Sequence, residues 1–117
     1  MPAVAFALPI LPGQEETVKF MTEEVLRPGP LREAYEESRR NLGISREMAW
    51  LQPTPVGDMM IVYWESDDPQ YVLREIADSQ DQFDLQFRQF IQCSAPAIDL
   101  DREQPLANSL LFDWQAG

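Results

Sequence analysis

Six large apolar residues in succession, Met59, Met60, Ile61, Val62, Tyr63 and Trp64, break the alternation that a strand with one wet face would show. Successive side chains of a strand point to opposite sides of its sheet, so this run predicts a strand hidden from water on both faces. Residues 4–11 follow the same logic. Val4, Phe6, Leu8 and Ile10 share one face and small Ala3, Ala5 and Ala7 the other, so a first strand is predicted with no polar side. Pro12-Gly13 ends it. Acids at Glu15 and Glu16, followed by Val18, Met21 and Val25 at helical spacing, predict a first helix that Pro28-Gly29-Pro30 stops. Helical spacing resumes through Leu31, Ala34, Tyr35, Ser38 and Leu42, with Gly43 as the stop just beyond. On this helix Glu36 and Glu37 stand three and four residues from Arg39 and Arg40, the pattern of a solvated face. A ligand clamp made by the two arginines is the alternative.

Residues 47–52 read as a second strand carrying Met48, Ala49, Trp50 and Leu51, and the turn-forming residues 53–58 lead from it into the Met59 run, predicting a hairpin. Asp68 is placed to cap a following helix and Pro69 to occupy its first turn, where a missing N–H does no harm. That helix holds Val72, Leu73, Ile76 and Ala77. Ser79 and Gln82 have the spacing of a capping box, so the helix is expected to break near Ser79 before Phe83, Phe87, Phe90 and Ile91 continue the apolar stripe. Residues 94–106 read as loop; the acids Asp99, Asp101 and Glu103 lack the glycine and frame of a calcium loop. Residues 109–115 read as a last strand, with Leu110, Phe112 and Trp114 opposite Leu111, Asp113 and Gln115.

The chain of 117 residues suits one domain spanning 1–117, and no stretch approaches the ~20 continuous apolar residues of a membrane helix. Residues 1–11 lack the basic start and cleavage site of an export signal and read as strand. Twenty acids against nine bases give a net charge of −11 with no basic stripe, so neither nucleic acid nor an anionic membrane is an expected partner. A single cysteine, Cys93, leaves no internal disulfide and fits a reducing compartment, so a cytoplasmic location is expected. Histidine is absent. That removes Ser-His and Cys-His nucleophilic pairs, His-ligated zinc and proximal-His haem, and the five glycines form neither GxGxxG nor a phosphate loop. No metal and no cofactor is expected.

The order strand, broken helix, strand, strand, broken helix, strand is the ferredoxin-like βαββαβ pattern, an α+β fold with a four-stranded antiparallel sheet. Right-handed crossovers place both helical connections on one face, leaving the other bare. Each large apolar side chain left there would forfeit about 1.5–3 kcal/mol, so a homodimer formed through the bare faces is expected. The stretch Trp50-Leu51-Gln52-Pro53-Thr54-Pro55-Val56-Gly57-Asp58 resembles an uncharacterised bacterial family of the dimeric α/β-barrel superfamily. Ile61-Val62-Tyr63, Glu65, Asp67-Asp68-Pro69 and Tyr35-Glu36-Glu37-Ser38-Arg39-Arg40 carry the same resemblance. It implies a homodimeric α/β barrel with a pocket between sheet and helices in each subunit. The superfamily includes cofactor-independent monooxygenases, haem-degrading enzymes, chlorite dismutases and muconolactone isomerases. Its haem-using members rely on a histidine, which this chain lacks, and no catalytic residue of the family transfers to it.

Three functions compete. The first is a small-molecule-binding protein with an apolar pocket for an apolar or aromatic ligand. Met48, Trp50, Tyr63, Trp64 and either Met59 or Met60 would line it, and Arg46, Tyr63 and Glu65 would orient a polar group. The second is a monooxygenase-like or isomerase-like enzyme without cofactor, whose base would be Glu65 or Asp113 beside large aromatics, or Tyr63. The third is a structural or interaction dimer with no ligand.

Overall fold

The computed structural model describes residues 2–102, 105 and 108–117. In chain order its elements are β1 (Ala3–Pro9), α1 (Glu15–Leu26), α2 (Pro30–Asn41), β2 (Ile44–Thr54), β3 (Gly57–Ser66), α3 (Pro69–Asp78) and α4 (Gln82–Ser94). The strands form one antiparallel sheet in the order β1-β3-β2. β2 and β3 pair as the predicted hairpin, with Thr54 opposite Gly57. The structure thus corrects the expected four-stranded ferredoxin-like βαββαβ sheet and the barrel built on it, because the described residues contain three strands.

Residues 109–115 explain the difference. They make no ladder with β1, and Leu110, Leu111, Phe112 and Trp114 are all at least 78% exposed. Asn108, just before them, donates from its side-chain amide to the Ala5 carbonyl at the outer edge of β1. Alternation describes what a segment could do beside a partner strand; it does not supply that partner. Of the predicted loop 94–106, positions 103, 104 and 106 lie outside the described residues, as does residue 1 of the first apolar stretch.

β1 buries Val4, Phe6 and Leu8 and exposes Ala3, Ala5 and Ala7. On β3, Met60, Trp64 and Ser66 are buried on that same inner side, where Val18, Val72, Leu73, Ile76 and Ile91 of the helices complete the core. Phe6 and Trp64 meet edge to face at 5.1 Å and 72°, an arrangement that adds about 0.5–1.5 kcal/mol to the burial itself. Met59, Ile61 and Tyr63 face the opposite, helix-free side beside Trp50 and Met48.

β2 carries an irregularity that decides which residues face in. Ile44 pairs with Ser66, but Arg46 pairs with Glu65, so Ser45 is an extra residue in the ladder. Before this bulge Ile44 points inward; after it Glu47, Ala49 and Leu51 do, opposite Trp64, Val62 and Met60.

Local chemistry places the helix ends. Asp68 accepts from the Tyr71 N–H at 3.1 Å and Pro69 opens α3, as the sequence predicts. Gly43 leaves α2 at φ +77°, a conformation costly for residues with a Cβ. The chain does break at Ser79, but the cap of α4 is Asp81, whose carboxylate accepts from the Phe83 and Asp84 N–H groups, instead of the expected Ser79–Gln82 box. Arg88 of α4 donates from Nη1 to the Ile76 and Ser79 carbonyls at 2.6 and 2.9 Å, closing the orphaned C-terminal end of α3.

Candidate functional site

Between the inner face of β2 and β3 and helices α1, α2 and α4 lies a cavity of about 220 Å³. Its walls are apolar: Met21, Val25 and Leu31 from the first two helices, Met60 and Val62 from β3, and Phe83, Phe87, Phe90 and Ile91 from α4. Helical spacing produces this lining, since the phenylalanine stripe of α4 must face the sheet. Leu26 is 56% exposed and Ala49 is also exposed, so the cavity opens to solvent beside β2.

Besides the separate side chains of Thr22 and Gln86, one polar cluster interrupts the lining. Glu47, aimed inward by the Ser45 bulge, accepts from the Tyr35 hydroxyl at 2.5 Å and from Arg39 Nε at 2.9 Å on Oε1, and from Trp64 Nε1 at 2.5 Å on Oε2. The Arg39 and Glu47 side chains are 7% and 13% exposed. Three rings surround the guanidinium, with centroids at 4.6 Å (Phe87), 4.9 Å (Tyr35) and 5.7 Å (Phe83), so cation–π attraction replaces part of its lost hydration. Behind it, Arg39 Nη1 donates to Ser38 Oγ at 3.2 Å, and Ser38 donates to buried Asp84. Asp84 also accepts from Ser79 at 2.7 Å, which ties α2 and α4 to the break after α3.

Electrostatics lock this cluster in a single protonation state. Burial works against the charge on Glu47, but the Arg39 charge and the hydrogen bonds from Arg39, Tyr35 and Trp64 outweigh it and hold the carboxyl below its ordinary range. Burial pushes the Tyr35 phenol up, and the neighbouring Glu47 charge pushes it further. Glu47 therefore stays ionised and Tyr35 neutral. A carboxylate held by three donors is a weak proton acceptor, so these groups suit fixed recognition better than proton abstraction.

The residues singled out in the sequence fall on both sides of the sheet. Met48, Trp50 and Tyr63 occupy the helix-free face, as does Met59, and Met60 is the methionine that reaches the cavity. Trp64 is on the inner side, 2% exposed, and binds Glu47 through its indole N–H. Arg46 and Glu65 stand opposite each other on the outer side with a nitrogen–oxygen distance of 4.0 Å. Asp113 is exposed, in a segment that joins no strand, whereas Tyr63 and Glu65 share the outer face of β3. Of the two arginines weighed as a clamp, Arg39 is buried and Arg40 exposed. Glu47, the first residue of the predicted second strand and next to Arg46, carried no local mark of its burial. Its partner Arg39 stood eight residues away in a cluster of charges that looked like surface. Among the described residues no three Cys, Asp or Glu side chains gather as a metal site would require, and no helix is long and apolar enough to cross a membrane. Compared with protein-family models, curated proteins and solved structures, the chain gives no match, so the geometry of this cavity carries the functional reading.

Proposed function

We propose that this protein binds a small apolar molecule in the cavity under its helices and works as a homodimer. The carrying observation is a mouthed cavity of about 220 Å³ with apolar walls and one buried, fully ordered polar cluster. Ligand sites are built in this way, with many apolar contacts and few polar ones. For scale, a cavity of about 150 Å³ lined by apolar side chains holds a benzene. A single ring with a short substituent fits.

Dimerisation is supported by the helix-free sheet face, where Met48, Met59, Ile61 and Tyr63 are only half-buried and Trp50 is 47% exposed. Covering such a contiguous apolar surface is the usual reason for two copies to associate. The free thiol of Cys93 is exposed, which fits a reducing cytoplasm.

Thermal unfolding in the presence of ethylbenzene tests the cavity, because a ligand that binds the folded state alone, at free concentration c, stabilises it by RT ln(1 + c/Kd) and so raises Tm. A dose-dependent rise is expected, and no rise up to the solubility limit with this or any other single-ring molecule of similar size overturns the binding reading. Sedimentation equilibrium over a hundredfold concentration range tests association, with twice the 13.5 kDa chain mass expected at the upper end.

A further inference from the structure

Arg39 carries five N–H donors in a rigid planar fork. Nε serves Glu47 at 2.9 Å, one hydrogen of Nη1 serves Ser38 at 3.2 Å and the Tyr35 hydroxyl also interacts with the guanidinium, so described residues occupy no more than three of the five donors. No fully buried side-chain nitrogen or oxygen among these residues lacks a partner. Arg39 as a residue is only 6% exposed, and the open space that it lines is the cavity. A buried guanidinium is thus aimed into an apolar chamber with donors to spare, and the Glu47 bond and the Phe87 and Tyr35 rings fix its orientation.

We infer that the ligand of this cavity is a neutral molecule, an apolar ring or short chain bearing one carbonyl-type oxygen (a ketone, ester or amide) that accepts from Arg39. The inference rests on the cavity being a binding site and adds the chemistry of its occupant. Charge balance selects a neutral acceptor. Glu47 already offsets Arg39, so a ligand carboxylate would lose its hydration without meeting a free positive charge, close to a second carboxylate and in a chain of net charge −11. A cationic ligand finds the one carboxylate of the lining already neutralised by Arg39 and held by three protein donors. A ligand with no polar atom would fill the walls and leave buried donors unmet. A neutral carbonyl answers all three conditions.

Four probes of similar size separate the possibilities: ethylbenzene, acetophenone, benzoate and benzylamine, titrated into the full chain by calorimetry. Acetophenone is expected to bind about tenfold tighter than ethylbenzene, the gain typical of a hydrogen bond to a charged donor, with benzoate and benzylamine weaker than both. In the double substitution R39M/E47Q the acetophenone advantage is expected to vanish while ethylbenzene binding persists. Should that variant fail to fold, the guanidinium ¹⁵N resonances of Arg39 in the unsubstituted protein give the same answer, shifting with acetophenone and not with ethylbenzene. Equal affinity for acetophenone and ethylbenzene overturns the carbonyl inference and leaves the cavity reading intact. Tightest binding by benzoate or benzylamine also overturns it. Binding of none of the four overturns both.

Discussion

Glu47 concentrates the energetics of the interior in one side chain. Its carboxylate binds three donors from two elements, α2 and β3, and removing one partner of a buried ion pair costs more than the pair contributes, because the other charge is stranded. Glu47→Gln is expected to destabilise the protein by about 3 kcal/mol near neutral pH, measured by urea unfolding. The sign of the pH dependence follows from the shifts. Below its ordinary value of 4.5 the unfolded carboxyl gains a proton before the folded one does. Stability present above pH 4.5 is therefore lost as pH falls through the lower folded value. Tyr35 works at the other end of the scale. Above 10.0 the unfolded phenol ionises while the folded one holds its proton, so stability full below pH 10.0 drains as pH rises. Glu47→Gln should flatten the acid limb of the stability profile and Tyr35→Phe the alkaline one. Unchanged limbs in both variants would mean the cluster is not assembled as described.

Element boundaries that depend on neighbouring residues were legible in the sequence. The Asp68 cap, the Pro69 start and the Gly43 stop read correctly, and the hairpin turn falls within 53–58 but is shorter, at Pro55 and Val56, because each is set within a few residues. Features that depend on distant partners were not. Arg88, which closes the carboxyl end of α3 from the next helix, carries no local mark of that task. Arg88→Ala is expected to cost about 1–3 kcal/mol, since it leaves buried carbonyls without donors, and chemical denaturation will read it. The last apolar segment shows the opposite failure, a strand-like pattern with no ladder to join. Its side chains are exposed, so truncation after Asn108 is expected to move Tm by no more than about 2 °C and to remove the long-wavelength tryptophan emission of Trp114. A large fall in Tm would show that this segment is packed in solution.

At the scale of the molecule, the sequence revealed that β3 is apolar on both faces but not which face the helices cover. Both answers satisfy the pattern; the bulge in β2 and the registry with β1 choose between them. That is why Met48, Trp50 and Tyr63 were assigned to the pocket and stand instead on the uncovered side. If two copies meet there, Trp50→Glu should yield a monomer of near-native Tm by sedimentation. If they do not, the same substitution on an exposed site leaves the mass unchanged.

Ser45 has a consequence out of proportion to its size. Paired without the bulge, Ser45 would stand opposite Glu65 and the rest of β2 would slip by one residue and turn over, carrying Glu47 out to water and driving Trp50 and Met48 toward the helices. Arg39 would then be interred without a counter-ion, and the chamber would be plugged by an indole. A chain shortened by Ser45 alone keeps Arg46 opposite Glu65 and Glu47 opposite Trp64, so it should retain its fold and its guests, whereas a slip of the whole strand should cost both.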